Sequence, residues 1–173
     1  MNLEKMFEAQ KKLHDHIGYK GEDKFEKDIA ALIVEIGECM NEWRGFKYWS
    51  KDQEPRTFII DGLHDGINEP VKNPLLEEYV DGLSFVFELG INKKYTFFKD
   101  FVNNAGSENI VHMYLDIFQL ILDFDLKPEF YVYELLLGRY LELGKLLGFT
   151  DEQIEQAYYE KNRVNHERQN NGY

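Results

Sequence analysis

The sequence predicts an all-α protein of about six main helices, a helical bundle. Apolar residues recur at helical spacing along almost the whole chain, no alternating strand pattern is flanked by hairpin turns, and breaks fall where helices end. A first helix is expected over Leu3 to His16, with Gly18 and Gly21 in "IGYKGED" as breaks. A second runs from Phe25 to Trp43 and stops near Gly45. Lys51 to Asn73 carries Pro55, Gly62, Gly66 and Pro70 and reads as a long connection with a short helical turn of its own. Asn73 followed by Pro74 starts a third helix, which extends to Leu89 and is closed by Gly90. A fourth spans Ile110 to Phe124, and Pro128 opens a fifth that reaches Leu147 before Gly148. Thr150 and Gln153 form a capping-box pattern at the head of the sixth.

At 173 residues and 43% hydrophobic content the chain can bury a real core, and one domain over 1–173 is expected. The net charge of -12 makes the bulk field repel nucleic acid and anionic membrane surfaces, so a phosphate ligand must be drawn by a local site or a bound cation. No apolar run is long enough to span a bilayer and "MNLEKMFEAQKK" has no signal-like stretch. The lone Cys39 reads as a small buried residue in a reducing compartment. Cytoplasm is the expected location.

The stretch "EIGECMNEWRGFKYWS" places Glu35, Glu38 and Glu42 within an arc of roughly 60° on a helix, beside an apolar arc of Leu32, Ile36, Cys39, Met40 and Trp43. Like charges three and four apart repel, and this face has no lysine between them, so something cationic is expected there. In "LLEEYVDGLSFVFELG" Glu78 and Asp81 lie one turn apart, with Gly82 and Phe85 near the same face. Asp81 is set among Tyr79, Val80, Leu83 and Phe85, where ionisation is expensive without a cation or donor. Oxygen ligands from two helices suit a hard cation such as Mg²⁺ or Mn²⁺; the five histidines show no zinc spacing. The plainer reading is an exposed acidic face. Glu42 fits either a peripheral charge or a third acid, and Glu77 and Glu88 read as surface residues.

Near the C-terminus, Tyr158, Lys161, Asn162, Asn165 and Gln169 share an arc of about 100°, with Arg168 at its edge. That face can bind phosphates and an amide-like edge, or it is a frayed polar tail. In "RGFKYWS", Arg44 and Lys47 can meet phosphates and Phe46, Tyr48 or Trp49 can stack on a base, or the rings can anchor a helix end.

With Glu35-x-x-Glu38 and Glu78-x-x-Asp81 in this order, the chain resembles the MazG-like, all-α nucleoside triphosphate pyrophosphatase superfamily. "FKYWS", "LLEEYVDGLSFV" and "YYEKNRVNHERQNNGY" resemble its dimeric dUTPase family, phage or Firmicute type, over landmarks from Gln10 to Tyr173. The resemblance implies hydrolysis of dUTP, and dUDP, to dUMP, with pyrophosphate released from dUTP. This would limit dUTP and supply dUMP for thymidylate synthesis, using Mg²⁺ ions, with Mn²⁺ as a substitute, in a homodimer. By motif, Glu35, Glu38, Glu78 and Asp81 would hold the metals, and Glu35 or Glu38 would orient or deprotonate the attacking water. Lys161, Asn162, Asn165, Arg168 and Tyr173 would bind phosphates or deoxyuridine, with Lys47 near the phosphates and Gln10 and Trp49 enclosing the base.

Departures are His14, where relatives often have Asn, Ser84 in place of a common His, the 52–73 insertion and an end at Tyr173 without a following basic residue. The 91–109 link is a candidate mobile segment. Competing readings are a broader or dCTP-directed pyrophosphatase and a non-catalytic helical module. Phage members of the family are associated with repressor proteins, for which no motif is present here.

Overall fold

The computed structural model describes residues 1–60, 71–95 and 107–172; side chains of 59, 60 and 71 are excluded. Among them are six helices: α1 (Leu3–Ile17), α2 (Lys24–Trp43), α3 (Pro74–Asn92), α4 (Ile110–Leu126), α5 (Phe130–Leu146) and α6 (Asp151–Asn170). A two-residue antiparallel ribbon, β1 (Ile59–Ile60) with β2 (Val71–Lys72), closes the base of the long connection, pairing Ile59 with Lys72 and Ile60 with Val71. The ribbon escaped the sequence because two residues a strand carry no readable alternation. No helix is present at residues 51–60 or 71–73, so the expected helical turn has no place among the described residues of that segment.

The helix starts follow their capping residues. Asn2, Asn73 and Asn109 each accept a backbone N–H of the following turn, from Lys5, Leu76 and His112. Thr150 and Gln153 form the reciprocal capping box the sequence predicts. Gly18, at φ 60, ends α1 in the left-handed region, and Arg44, at φ 63, does the same for α2.

Three boundaries depart from expectation by two residues or more. α3 does not close at Gly90 but runs to Asn92, because Gly90 is buried under the Tyr133 ring, where a Cβ would run into the phenol oxygen. Its lack of a side chain serves packing rather than termination. α4 continues past Phe124 to Leu126. α5 begins after an N-cap at Glu129 and not at Pro128, whose carbonyl instead accepts the Tyr95 hydroxyl at 2.6 Å.

The core is one connected cluster. α3 lies centrally, packing along α2 and also against α1, α5 and α6, while α4 pairs with α5 and α1 with α6. α3 contributes Leu75, Tyr79, Val80, Leu83, Val86, Phe87 and Leu89, all buried. Tyr158 of α6 donates its hydroxyl to the Met6 carbonyl of α1 at 2.9 Å. α5, whose apolar circumference fits either an interface or an interior position, buries Tyr133, Leu136, Leu137, Tyr140 and Leu143. Cys39 is fully buried, its thiol 3.3 Å from the Tyr114 hydroxyl, and burial pushes its pKa up to about 12. Among the described residues no helix is long and apolar enough to cross a membrane.

Candidate active site

α2 and α3 run side by side, so the acids on their facing edges meet. Carboxylate oxygens of Glu35, Glu38 and Glu78 all lie within 4.8 Å of one another. Burial, then the charges of Asp81 and Glu38, raises Glu35 to about 7. Glu78 is raised to about 7 by burial and by Asp81, Glu38 and Glu35. Half-buried carboxylates crowded in this way resist ionisation unless positive charge joins them. The three can hold a hard divalent cation, and all-oxygen donors fit that class.

Asp81, expected as the fourth ligand, faces a different partner. The Lys161 ammonium of α6 lies 2.5 Å from its carboxylate. Burial raises the Asp81 pKa, with Lys161 and Arg168 acting against that rise. α6 thereby supplies a cation to the edge of the acid cluster that α2 and α3 form.

From this cluster a cleft of about 400 Å³ runs between α1, α2, α3 and α6. One end holds Glu35, Asp81, Lys161, Asn165 and Arg168; the other holds Gln10, Lys24, Asp28 and Glu88, with Leu13, Phe85 and Tyr19 as apolar walls. Its size lies within the usual range for small-ligand sites. The polar face of α6 is therefore part of a concave site and not a frayed tail.

At the second end, the reading of Glu88 as a surface residue is overturned. It is 5% exposed, and it accepts from Gln10, His14 and Lys24 at 2.8, 2.8 and 3.0 Å. Lys24 also donates to Asp28 at 2.7 Å, and Asn92 donates to the same oxygen at 2.6 Å. Burial pulls the Lys24 pKa down, but the partner carboxylates outweigh it and hold it above the ordinary value. Lys24, Asp28 and Phe85 went unassigned in the sequence; the spacing of Lys24 and Asp28, one turn apart, and of Phe85, one turn beyond Asp81, was the available signal.

Several predicted contacts lie elsewhere. Trp49 is 65% exposed, packed edge-on against Phe46 and Tyr48, and does not line the cleft. Lys47 donates to Asn41 and lies over the Phe46 ring, outside the cleft. Arg44 is buried and spent on Asp52, donating to its carbonyl at 2.8 Å and pairing with its carboxylate at 3.1 Å, which removes it as a phosphate contact. Glu42 pairs with Arg56 at 3.1 Å, a peripheral charge. Asn162 has a buried amide nitrogen without a hydrogen-bond partner among the described residues and is not a wall of the cleft. Trp43 packs against the core, its ring 5.8 Å from Tyr114. Tyr173, residues 61–70 of the 52–73 insertion and residues 96–106 of the 91–109 link lie outside the described residues.

An all-α bundle with paired carboxylate motifs on adjoining helices and a cationic face across the cleft defines a class of phosphate-handling enzyme. The sequence model of the dUTPase family matches residues 2–68 and 67–173, and the chain belongs to this all-α dUTPase family, whose activity is hydrolysis of dUTP. No curated protein matches the chain.

Proposed function

We propose that the protein is a dUTP diphosphatase that converts dUTP, and dUDP, to dUMP, releasing pyrophosphate from dUTP, with Mg²⁺ as its working cation and Mn²⁺ as a substitute. The observation that carries this reading is the two-ended cleft. An acid cluster facing Lys161, Asn165 and Arg168 lies at one end, and a buried amide, Gln10, lies at the other. A nucleotide has the same polarity, with its phosphates and base at opposite ends.

Glu35, Glu38 and Glu78 would hold the cation, and Asp81 would be free to join them once Lys161 turned to a phosphate. Bound there, a divalent cation would supply Lewis-acid activation of water and neutralisation of phosphate charge. Lys161 and Arg168 bind phosphate oxygens, Asn165 donates its amide beside them, and Glu35 or Glu38 orients or deprotonates the attacking water. Phe85 and Tyr19 wall the cleft and exclude water from the base, while Gln10 meets the base edge.

The working form is a homodimer. The exposed apolar residues Leu115, Leu122 and Leu126 of α4, with Tyr131 at the start of α5, form the face that a second copy covers. A panel of deoxynucleoside triphosphates, assayed for pyrophosphate release with and without Mg²⁺, tests the activity. Turnover of dUTP that needs Mg²⁺ and exceeds that of dTTP is expected; equal turnover of all nucleotides, or none, refutes it.

A further inference from the structure

Gln10 is 3% exposed and both ends of its amide are tied down. Its Nε2 donates to Glu88 Oε1 at 2.8 Å, and its Oε1 accepts from the Tyr158 hydroxyl at 2.9 Å. The Tyr158 hydroxyl has one proton directed at two acceptors, Gln10 and the Met6 carbonyl, and as donor or acceptor it tolerates either face of an amide. Glu88 is not so tolerant. Its second oxygen is met by Lys24 at 3.0 Å and by Nδ1 of His14 at 2.8 Å. A carboxylate facing an ammonium accepts and does not donate, so it admits only the NH₂ side of Gln10. Reversing the amide would set two oxygens against each other where the 2.8 Å hydrogen bond now lies.

This choice leaves one N–H on Nε2 and one lone pair on Oε1 for the cleft that Gln10 lines. A uracil edge offers a carbonyl beside an N–H, which pairs with that donor and acceptor in register. A cytosine edge offers the reverse, an amino group beside a bare ring nitrogen, and fits only the turned amide.

We propose that Glu88, braced by Lys24 and His14, is a positioning residue that fixes the amide of Gln10 and so makes the site accept uracil and reject cytosine. The proposal rests on the dUTP reading of the cleft and adds to it the source of base selection. Glu88 acts through Gln10 without itself touching the base.

The test is Glu88→Gln, which keeps the side chain's size but presents either a donor or an acceptor to Gln10. The measurement is kcat/KM for dUTP and dCTP with Mg²⁺, together with calorimetric binding of dUMP and dCMP, which needs no chemistry. The ratio of dUTP to dCTP is expected to fall about tenfold or more, by loss for dUTP and gain for dCTP, with the dUMP preference falling in parallel. Equal loss for both substrates, with the ratio unchanged, overturns the proposal. If Glu88→Gln does not fold, Lys24→Gln loosens the same brace and is expected to lower the ratio less; an unchanged ratio there also overturns it. A wild-type protein that neither binds dUMP nor hydrolyses dUTP overturns the dUTP reading first, whereas strong wild-type preference with an unaltered variant ratio overturns only the role of Glu88.

Discussion

Tyr79 and Tyr140 lock α3 to α5 reciprocally: each donates its hydroxyl to the other's backbone carbonyl, at 3.1 and 2.9 Å, with the rings stacked at 5.0 Å. Each phenol reaches across to a glycine on the opposite helix, Tyr140 over Gly82 and Tyr79 over Gly144. Gly82 directly follows Asp81, so the lock holds the stretch of α3 that carries the acids. Gly82→Ala, which would drive a methyl into the Tyr140 hydroxyl, is expected to cost about 1–3 kcal/mol. Tyr140→Phe is expected to cost about 1 kcal/mol, the net worth of one hydrogen bond. Urea denaturation checks both, and a neutral Gly82→Ala would refute the lock.

Glu35 and Glu78 predict an acid-favoured stability in the absence of metal. Both are raised to about 7 in the folded protein from an ordinary 4.5. Between those values the native state holds more protons than the unfolded chain, so stability falls as pH rises through that window and levels off above it. In chelator, the wild type should lose melting temperature between about pH 5 and 7.5 relative to Glu35→Gln/Glu78→Gln, whose profile should be flatter. Added Mg²⁺ should raise the wild-type melting temperature near pH 7.5 and leave the double variant unmoved. Identical profiles for the two proteins would contradict a strained acid cluster.

Lys161 is expected to act in opposite directions on cation and substrate. Its ammonium neutralises Asp81, and in the proposed reaction it binds phosphate. Lys161→Met should therefore tighten Mg²⁺ binding in the absence of nucleotide, read by calorimetry, while raising KM for dUTP by about tenfold or more. A variant that loses affinity for both would show that Lys161 holds the fold rather than the ligand.

Asp81→Asn keeps the shape of the site and removes one charge from a buried position. Loss of dUTP hydrolysis by about 100-fold or more, with the melting temperature in chelator unchanged or raised, is the expected result. Retained activity would remove Asp81 from the site.

Leu122→Glu on the exposed face of α4 should shift the protein from dimer to monomer in light scattering, with the helical circular dichroism signal retained. A dimer that survives the substitution would place the interface elsewhere.

The helices were legible because each carries a local signal: an apolar stripe, an asparagine or threonine cap, a following glycine. The acid cluster was legible for a related reason, since its two motifs lie on single helices and the helical repeat alone gathers each pair. Glu88 was not. Its partners Gln10, His14 and Lys24 are 78, 74 and 64 residues away, so a carboxylate in "FELG" looks like any surface acid until α1 and α2 fold against α3. Gly90 misled for the same reason: the Tyr133 ring that needs its missing side chain belongs to α5. Arg44 read as a free cation because nothing in the order of residues announces that Asp52, beyond the turn, claims it.

Asp81 and Glu88 stand on the same helix two turns apart, about 10 Å along its axis at roughly 1.5 Å per residue. α3 is therefore a ruler. One rigid rod carries both the acid edge and the carboxylate that holds Gln10, so in the proposed reaction the distance from base to reacting phosphorus would be set by the backbone geometry of α3. The same rod sets the angular register of the two groups. One residue inserted between them would lengthen the gap by only about 1.5 Å but would turn one end away from the other by about 100°.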